Sequence, residues 1–506
     1  MQLKTRLSNR RECRIIIDDE VNARVEGLHP TDADMLYNRY GLFAPSYVFH
    51  PRYKLGIWDG KIRFFQKTGK TLTYFVEELI TTLLELRYMP DVIDKRVGPY
   101  VNAALIDEDM FSHVMINDAP MKLRYYQVEA VNALIADGIG LIEAATSAGK
   151  TWINAALVNA YGLRGLRSIT IVPSTSLVIQ TLKDFKTAGL DVGEYTGKTK
   201  DMNHQHVIST WQAIKNHPHL MKQFQVVVVD EVHQAKSKIL NELVNVHGAH
   251  IPYRFGLTGT LPKDPVDKLT IHTAFGNVKY VLPAATLMSE GYVSTTEVAM
   301  LQLFENHPDG YFPDFTAERS YLNTRRERTE WIADLIIEKS SEAKGNSLVL
   351  VSSIAIGKKL QKLIPNSVFL NGTDDADARK IEYDKFEENN NIVVIATVQI
   401  AGTGLSINRI FHLFLIDIGK SFTRVIQAIG RSLRMSEDKN HSYVWDLCSN
   451  LKYSKRHLAV RAQYYKEAQY TFTKRVVKYR EYNDDFTKNT QDAILAELEN
   501  NISLDY

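Results

Sequence analysis

Two series of short β-branched apolar runs, each alternating with helix-like stretches, occupy the chain from about Met121 to Asp446. Strands that alternate with helices indicate a parallel sheet covered by helices. The runs of the first series are 140–145, 168–172, 206–210, 226–230 and 254–260. Those of the second are 347–353, 367–372, 392–397, 412–417 and 442–446, and the segment between the two series, about 293–328, is predicted to be a connector. We therefore predict an α/β fold with two similar parallel-sheet domains and a ligand cleft between them.

The two ends of the chain lack this alternation. The first 115 residues contain an aromatic and basic cluster, HPRYKLGIWDGKIRFF (50–65), in which Trp58-Asp59-Gly60 predicts a hairpin turn. Residues 451–480 carry nine Lys or Arg and the single acid Glu467, whereas 481–506 carry seven acids and the single base Lys488. We expect a small α+β accessory domain at 1–115, α/β domains at 116–295 and 296–449, and a basic helical extension with an acidic tail at 450–506.

Length and composition limit the class of protein. At roughly 150 residues per domain, 506 residues allow about three or four domains. The hydrophobic fraction of 44% and the charged fraction of 24% are typical of globular chains. No apolar run approaches the roughly 18 residues that span a bilayer, and Cys13 and Cys448 form neither a disulfide framework nor a metal-binding pattern. We expect a cytoplasmic protein, neither membrane-inserted nor secreted, and the net charge of +2 makes no case for nucleic acid.

A phosphate-binding loop is predicted where the run GLIEAA continues into TSAGKT (146–151) and then into a helical pattern. In such loops backbone N–H groups and the helix N-terminus hold the phosphates, the lysine reaches the β and γ oxygens, and the next hydroxyl binds Mg²⁺. These roles fall to Gly149, Lys150 and Thr151. Ala144 replaces the usual first glycine and Ser147 stands where a second glycine is common, and Gly-Lys-Thr alone would also suit a helix N-terminus with a solvated lysine.

A pair of acids, Asp230-Glu231, follows the buried run VVVV, at the carboxyl edge of the sheet where α/β proteins bind ligands. Adjacent carboxylates at such an edge are costly without a cation. We expect Asp230 to hold Mg²⁺, Glu231 to polarise the attacking water, and His233 to link the nucleotide site to the second domain. In isolation such a pair is more often a solvated turn, but its position after Gly-Lys-Thr favours the functional role.

Together these motifs, with others in the same order, resemble those of superfamily 2 helicases across most of the chain. The further matches are LRYYQ (123–127), PSTSL (173–177), STWQ (209–212), Thr258-Gly259-Thr260, Thr397 with AGTGLSIN (401–408), and QAIGRSLR (427–434). The resemblance implies two tandem RecA-like motor domains that use ATP and Mg²⁺. It also implies that the arginines of the last motif stabilise charge at the γ-phosphate.

The resemblance assigns roles to individual residues. Those implied to bind nucleotide are Arg124, Gln127, Thr146, Ser147, Ala148, Gly149, Lys150, Thr151, Gly402 and Gly404. Those implied in hydrolysis are Lys150, Asp230, Glu231, Gln427, Arg431 and Arg434, with Thr151 and Asp230 on Mg²⁺. Those implied to couple hydrolysis to movement are His233, Thr258 and Thr260. Those implied to contact DNA in the motor domains are Pro173, Ser174, Thr175, Thr210, Trp211, Gly372 and Thr397.

The N-terminal cluster resembles the corresponding stretch of a recombination and repair helicase of T-even phages, within the same superfamily. The resemblance implies 3′–5′ movement on DNA, remodelling of branched DNA and R-loops without sequence specificity, and location in the host cytoplasm if the chain is phage-encoded. Arg52, Trp58 and Lys61 are expected to contact DNA, although Trp58 could equally pack a core. The basic 451–480 stretch, with its tyrosines, favours a DNA-facing helix pair. A DNA translocase or annealing factor without strand separation, and an RNA helicase, remain open.

Overall fold

The computed structural model describes residues 11–116, 118–233, 241–306, 311–342, 345–371, 389–398, 409–419, 429–430 and 439–479. The chain divides into two compact units, Met1–Pro283 and Ala284–Tyr506. No helix in the described ranges is long and apolar enough to cross a membrane.

The N-terminal part of the first unit is the small α+β domain that the sequence predicts. Its sheet has the order β5 (Lys70–Leu72), β2 (Asn22–Glu26), β1 (Arg11–Ile17) and β6 (Tyr88–Asp94), with β1 antiparallel to β2 and parallel to β6. Ile15, Val25, Leu36 and Leu79 lie in its core. In chain order the elements are β1 (Arg11–Ile17), β2 (Asn22–Glu26), α1 (Pro30–Arg39), β3 (Gly41–Phe43), α2 (Pro51–Lys54), β4 (Lys61–Arg63), β5 (Lys70–Leu72), α3 (Val76–Glu85) and β6 (Tyr88–Asp94), with 3₁₀ turns at Tyr47–Phe49 and Thr73–Phe75.

The predicted tight hairpin turn at Trp58-Asp59-Gly60 is wrong in one respect. Gly60 has the expected positive φ of +81°, but it precedes β4, whose antiparallel partner β3 ends at Phe43. The residues between the two strands form the 3₁₀ turn and α2. Residues 41–63 therefore form a compact excursion closed by a two-stranded sheet, which we name the knob.

The remainder of the first unit contains a seven-stranded parallel sheet in the order β11-β12-β10-β13-β14-β9-β15. Its central strands are apolar on both faces because helices cover both sides. The elements are β7 (Met115–Ile116), β8 (Ala119–Pro120), α4 (Tyr125–Asp137), β9 (Ile139–Ala144), α5 (Lys150–Gly162), β10 (Ser168–Val172), α6 (Thr175–Thr187), β11 (Val192–Tyr195), β12 (His206–Thr210), α7 (Trp211–Lys215), β13 (Val226–Asp230), β14 (Tyr253–Thr258), α8 (Pro265–Phe275) and β15 (Val278–Leu282), with a 3₁₀ segment at Pro218–Gln223 and a π-helical turn at Leu243–His247.

The second unit contains another seven-stranded parallel sheet, in the order β18-β19-β17-β20-β21-β16-β22. Numbered in chain order within each sheet, the strands of both follow 3-4-2-5-6-1-7, so the two sheets share one topology. The elements are α9 (Ala284–Ser289), β16 (Thr295–Leu303), α10 (Phe315–Thr324), α11 (Arg326–Glu342), β17 (Asn346–Val351), α12 (Ile354–Leu363), β18 (Ser367–Leu370), β19 (Val393–Thr397), β20 (Ile410–Ile416), β21 (His441–Ser449), α13 (Lys452–Glu467) and β22 (Thr471–Val477).

The predicted connector at about 293–328 is wrong, because β16 lies in the second sheet between β21 and β22. Its sequence, TTEVAMLQL, begins with three polar residues and contains a fourth at Gln302. The strand therefore does not read as a continuous apolar run. The division between the two units, at 283/284, also precedes the expected boundary at 295/296.

The predicted helix pair in the basic C-terminal stretch is a helix, α13, followed by a strand, β22. That strand lies at the end of the second sheet, so the second α/β domain extends past the expected boundary at residue 449. Tyr464, Tyr465 and Tyr470 are buried and pack inside the unit. These tyrosines therefore belong to the buried side of the extension, and the surface position that the prediction gave them is wrong.

Candidate functional site

The loop between β9 and α5 is the predicted phosphate loop. Ser147 and Gly149 both have left-handed backbone conformations, with φ of +77° and +76°, and a Cβ at Gly149 would clash with the Gln127 amide. The side-chain Nζ of Lys150 donates a hydrogen bond to the Ala144 carbonyl at 3.2 Å. A loop of this kind at a helix N-terminus presents backbone N–H groups to an anion. Thr146, Ala148 and Thr151, also predicted to bind nucleotide, belong to the same loop and first helical turn.

Gln127 joins the N-terminus of α4 to this loop. Its Oε1 accepts a hydrogen bond from the Arg124 N–H at 2.9 Å, and its Nε2 donates to the Ala148 carbonyl at 3.1 Å. The side chain is buried. Gln127 and Arg124 thus lie beside the loop, as the motif predicts, and a contact of Gln127 with adenine stays a prediction.

A cavity of 360 Å³ opens beside Gln127 and the phosphate loop. The β7–β8 hairpin contributes one wall, and Trp152, whose ring centroid lies 5.6 Å from that of Phe111, contributes another. The lining combines apolar side chains with the polar groups of Lys122, Arg124 and Gln127. Such a mixture suits a flat heterocycle with hydrogen-bonding edges, such as a purine base. Sequence reasoning missed the hairpin and Trp152, and an indole directly after Gly-Lys-Thr was the signal available. The lining residues are Ile116, Pro120, Met121, Lys122, Arg124, Gln127, Ser147, Gly149 and Trp152.

The two predicted acids lie where β13 ends. The Glu231 N–H donates to Asp230 Oδ1 at 2.9 Å, and Glu231 has a left-handed φ of +53° that costs energy in a residue other than glycine. Burial, with the adjacent charge of Glu231, raises the pKa of Asp230, while Lys150 opposes the shift. A carboxylate with a raised pKa is under-compensated, and a bound cation would stabilise its ionised form.

His233 connects these acids to the turn after β14. Its Nδ1 lies 3.2 Å from Glu231 Oε2 and 3.0 Å from Thr258 Oγ1. Thr258 Oγ1 in turn donates to the Thr260 carbonyl at 2.8 Å. All three predicted coupling residues therefore lie together within the first unit. A link from His233 to the second domain stays a prediction.

Glu143 is a further residue at this edge that sequence reasoning missed. Its Oε1 accepts a hydrogen bond from the Leu261 N–H at 3.3 Å, and burial raises its pKa. It stands opposite Thr258 in the β9–β14 pairing, so it ties the strand before the phosphate loop to the turn after Thr258. The signal was a single acid in the apolar run GLIEAA.

The residues predicted to contact DNA in the first motor domain lie at two neighbouring helix N-termini. Ser174 caps α6 by accepting a hydrogen bond from Leu177 N, and Thr210 caps α7 by accepting one from Ala213 N. The strands that lead into these helices, β10 and β12, are adjacent and parallel, so both N-termini lie at the same sheet edge. Helix N-termini bind phosphate oxygens. Pro173, Thr175 and Trp211 flank the two caps.

The remaining predicted residues divide into two groups. Thr397 is the last residue of β19 and is buried. Arg52 is exposed, and Trp58 and Lys61 are half-buried, in the knob. Those that lie outside the described residues are Gly372, Gly402, Gly404, Gln427, Arg431 and Arg434.

The second sheet also has acids at its carboxyl edge, but buried arginines neutralise them. Arg328 forms an ion pair with Asp417 at 2.7 Å, directly after β20. Arg461 donates to both carboxylate oxygens of Asp446 at 2.8 and 2.7 Å, and also to the Ile418 carbonyl at 2.8 Å. These side chains are all buried. Paired in this way, Asp417 and Asp446 have no need of a bound cation.

Comparison with known proteins agrees with this arrangement. Residues 120–263 match the family "Type III restriction enzyme, res subunit", and residues 327–436 match "Helicase conserved C-terminal domain". The chain is 26% identical over 430 residues to the "ATP-dependent DNA helicase uvsW" of Enterobacteria phage T4, covering 80% of this chain and 84% of that protein. It is 26% identical over 190 residues to the "DNA 3'-5' helicase XPB" of Kineococcus radiotolerans, covering 35% and 32%.

A solved structure extends the comparison to the fold. A fragment of an HsdR subunit of a type I restriction enzyme from Vibrio vulnificus superposes with a TM-score of 0.55 at 15% identity, covering 90% of this chain and 85% of that one. The superfamily indicated by the motifs is confirmed by the matched helicase domains and by the similarity to the phage T4 helicase. The chain belongs to superfamily 2 of the ATP-dependent helicases.

Proposed function

We propose that this protein is an ATP-driven DNA helicase that moves 3′–5′ and remodels branched DNA and R-loops in recombination, repair and replication. One observation carries the proposal. The phosphate loop with Lys150, the acids Asp230 and Glu231, and the His233–Thr258 link all meet at one sheet edge. The same edge carries the two helix N-termini available to a DNA backbone.

The chain's own groups divide the work of hydrolysis. Backbone N–H groups of the phosphate loop and the Lys150 ammonium bind the phosphates, and Glu231 accepts a proton from the attacking water. His233, 3.2 Å from Glu231, orients that carboxylate towards the turn at Thr258. Hydrolysis in this scheme changes the hydrogen bonds of a turn that leads into α8.

Thr151 and Asp230 are suited to hold Mg²⁺ delivered with ATP. Among the described residues, no cluster of three or more His, Cys, Asp or Glu could hold a metal ion alone. Mg²⁺ normally takes one or two protein oxygens and completes its shell with phosphates and water, so this donor set fits. The ion would neutralise charge on the phosphate oxygens.

The DNA-binding part of the proposal depends on the caps at Ser174 and Thr210. Backbone N–H groups at a helix N-terminus donate to phosphate oxygens, a kind of contact that carries no sequence information. The similarity to a phage DNA helicase supports DNA as the substrate, and the similarity to a 3'-5' helicase supports the polarity.

The test is a strand-displacement assay on forked and blunt duplex DNA, with ATP hydrolysis measured in the same samples. We expect hydrolysis stimulated by DNA, displacement of forks before blunt ends, and loss of both activities in Lys150→Ala. Stimulation by RNA alone would contradict the DNA assignment. Stimulated hydrolysis without displacement would indicate a translocase or annealing factor.

A further inference from the structure

The knob (residues 41–63) of the accessory domain contains a cluster of packed aromatic rings. The Tyr47 ring stacks on Phe43 with centroids 4.5 Å apart and meets Tyr53 edge-on at 4.8 Å. Trp58 packs against His50 at 5.1 Å, and its indole N–H donates to the Lys61 carbonyl at 2.9 Å. These ring contacts connect β3, the 3₁₀ turn and α2 to one another.

The outer surface of the knob carries large apolar side chains that are exposed to solvent. Phe49, Leu55 and Ile57 are 73%, 71% and 63% exposed. Several exposed large apolar side chains within one short segment mark a contact surface for another molecule. Because the three residues lie in one nine-residue stretch around α2, we name them the apolar tip.

Unpaired cations flank the apolar tip. In the described part of the chain, Arg52 and Lys54 form no ion pair with an acid, whereas nearby Arg63 is paired with Asp59 and Lys67 with Asp34. Unpaired guanidinium and ammonium groups beside exposed apolar side chains match a ligand that combines phosphates with flat apolar faces.

The knob belongs to a domain that is fastened to the first motor domain. Leu269 of α8 packs against the accessory core, and Tyr74 Oη donates to Asn277 Oδ1 at 2.9 Å, next to β15. Helix α8 begins five residues after Thr260, the last residue of the coupling turn. A change in that turn therefore reaches the helix on which the accessory domain rests.

We propose that the knob is a wedge for DNA branch points, in which the apolar tip contacts unpaired bases while Arg52 and Lys54 bind the adjoining phosphates. The inference rests on the proposed DNA helicase function and assigns that function its substrate contact. A protein partner would suit the apolar tip alone, but phosphates account for the unpaired cations as well.

The test compares the wild-type protein with the triple variant Phe49→Ala, Leu55→Ala, Ile57→Ala. A matched control, Val97→Ala with Leu163→Ala, removes apolar side chains of the same unit that are 97% and 75% exposed. Since all five side chains are exposed, both variants should melt within a few degrees of wild type. The measurements are single-strand-stimulated hydrolysis, displacement of a forked duplex, and fluorescence of 2-aminopurine placed at the branch.

We expect the triple variant to keep hydrolysis within about twofold, lose fork displacement and fork affinity by at least about fivefold, and fail to raise 2-aminopurine fluorescence. The control should match wild type. Unchanged displacement and fluorescence in the triple variant would overturn the wedge, as would loss only of self-association or of binding to another protein. Absence of DNA-stimulated hydrolysis in the wild type would instead refute the proposed function, so the two failures are distinguishable.

Discussion

The fifth strands of the two sheets occupy the same topological position and both lead to acids at the carboxyl edge, yet these acids have opposite surroundings. In the first unit β13 ends in Asp230-Glu231, where burial and the charge of Glu231 raise the pKa of Asp230. In the second unit β20 is followed by Asp417, which pairs with the buried Arg328. The same fold position therefore carries an under-compensated carboxylate in the first unit and one neutralised by a buried arginine in the second.

The difference extends to the next strand of each sheet. β14 in the first unit leads into the polar turn at Thr258, whereas β21 in the second carries Asp446, bound by Arg461 and by the Tyr465 hydroxyl at 2.7 Å. Arg461 belongs to α13, outside the region that the motifs cover. The C-terminal extension of the second unit thus supplies the side chains that pair with Asp446 near the carboxyl edge of its sheet.

The largest expected effect comes from removing the proposed base. Glu231→Gln should slow ATP hydrolysis by about 10² to 10⁴, because the amide keeps the shape of the side chain and loses its proton affinity. Nucleotide binding should persist in a filter-binding assay. Glu85→Gln, at an exposed position of the accessory domain, is the control and should hydrolyse ATP at the wild-type rate. Rapid hydrolysis by Glu231→Gln would remove Glu231 from the chemistry.

The next effect tests compensation in the second unit. Arg461→Met should lower the free energy of unfolding by about 3 to 5 kcal/mol, because it leaves the buried carboxylate of Asp446 without its partner. Urea unfolding followed by circular dichroism measures this. Arg456→Met, at an exposed position of the same helix, should change the free energy by less than about 0.5 kcal/mol. Equal effects of the two substitutions would show that burial of Arg461 has no electrostatic consequence.

The third prediction is that removing a carboxylate changes the free energy of unfolding in opposite directions in the two units. The folded-state pKa of Asp230 is raised, so its favourable contribution to folding exists below the unfolded pKa and is lost as pH rises through the folded pKa. At pH 7 without nucleotide, Asp230→Asn should therefore raise the free energy of unfolding, by about 1 to 2 kcal/mol. Asp417→Asn should lower it. Thermal unfolding between pH 4 and 8 checks both, and destabilisation by Asp230→Asn would refute the contrast.

The smallest effect concerns one hydrogen bond. Tyr465→Phe removes the hydroxyl that donates to Asp446 and should cost about 1 kcal/mol of stability. Hydrolysis at 25 °C should be unchanged, because Asp446 keeps both bonds from Arg461. A loss of activity greater than the loss of stability explains would place Asp446 nearer the chemistry than its pairing indicates.

The sequence predicted most of the fold, and the misses share a cause. Each of the ten apolar runs overlaps a strand, because parallel strands buried on both faces read as continuous apolar segments. The strands that were missed, β11, β15, β16 and β22, are short or contain polar residues. Where one face of a strand is partly exposed to solvent, as in β15 and β22, polar residues occur on that face and the strand no longer reads as a continuous apolar run.

The residues at the two sheet edges also differ in how far the sequence could predict them. The predicted phosphate loop and the Asp230-Glu231 pair could be proposed from sequence because each is contiguous in the chain. The Arg328–Asp417 and Arg461–Asp446 pairs were not, since nothing local distinguishes a buried arginine from a solvated one. The prediction for the C-terminal tyrosines was wrong for the same reason. Their alternation with cations indicated a DNA-facing surface, but Tyr465 and Arg461 are both buried.

The measurement that tests the central contrast most directly is the thermal shift caused by a non-hydrolysable ATP analogue with and without Mg²⁺. A ligand at about 100 times its Kd adds about 2.7 kcal/mol of stability. We expect a Mg²⁺-dependent shift in the wild type and in Tyr465→Phe, and none in Asp230→Asn, which should respond to the analogue alike in the presence and absence of Mg²⁺. A full Mg²⁺-dependent shift in Asp230→Asn would contradict the account.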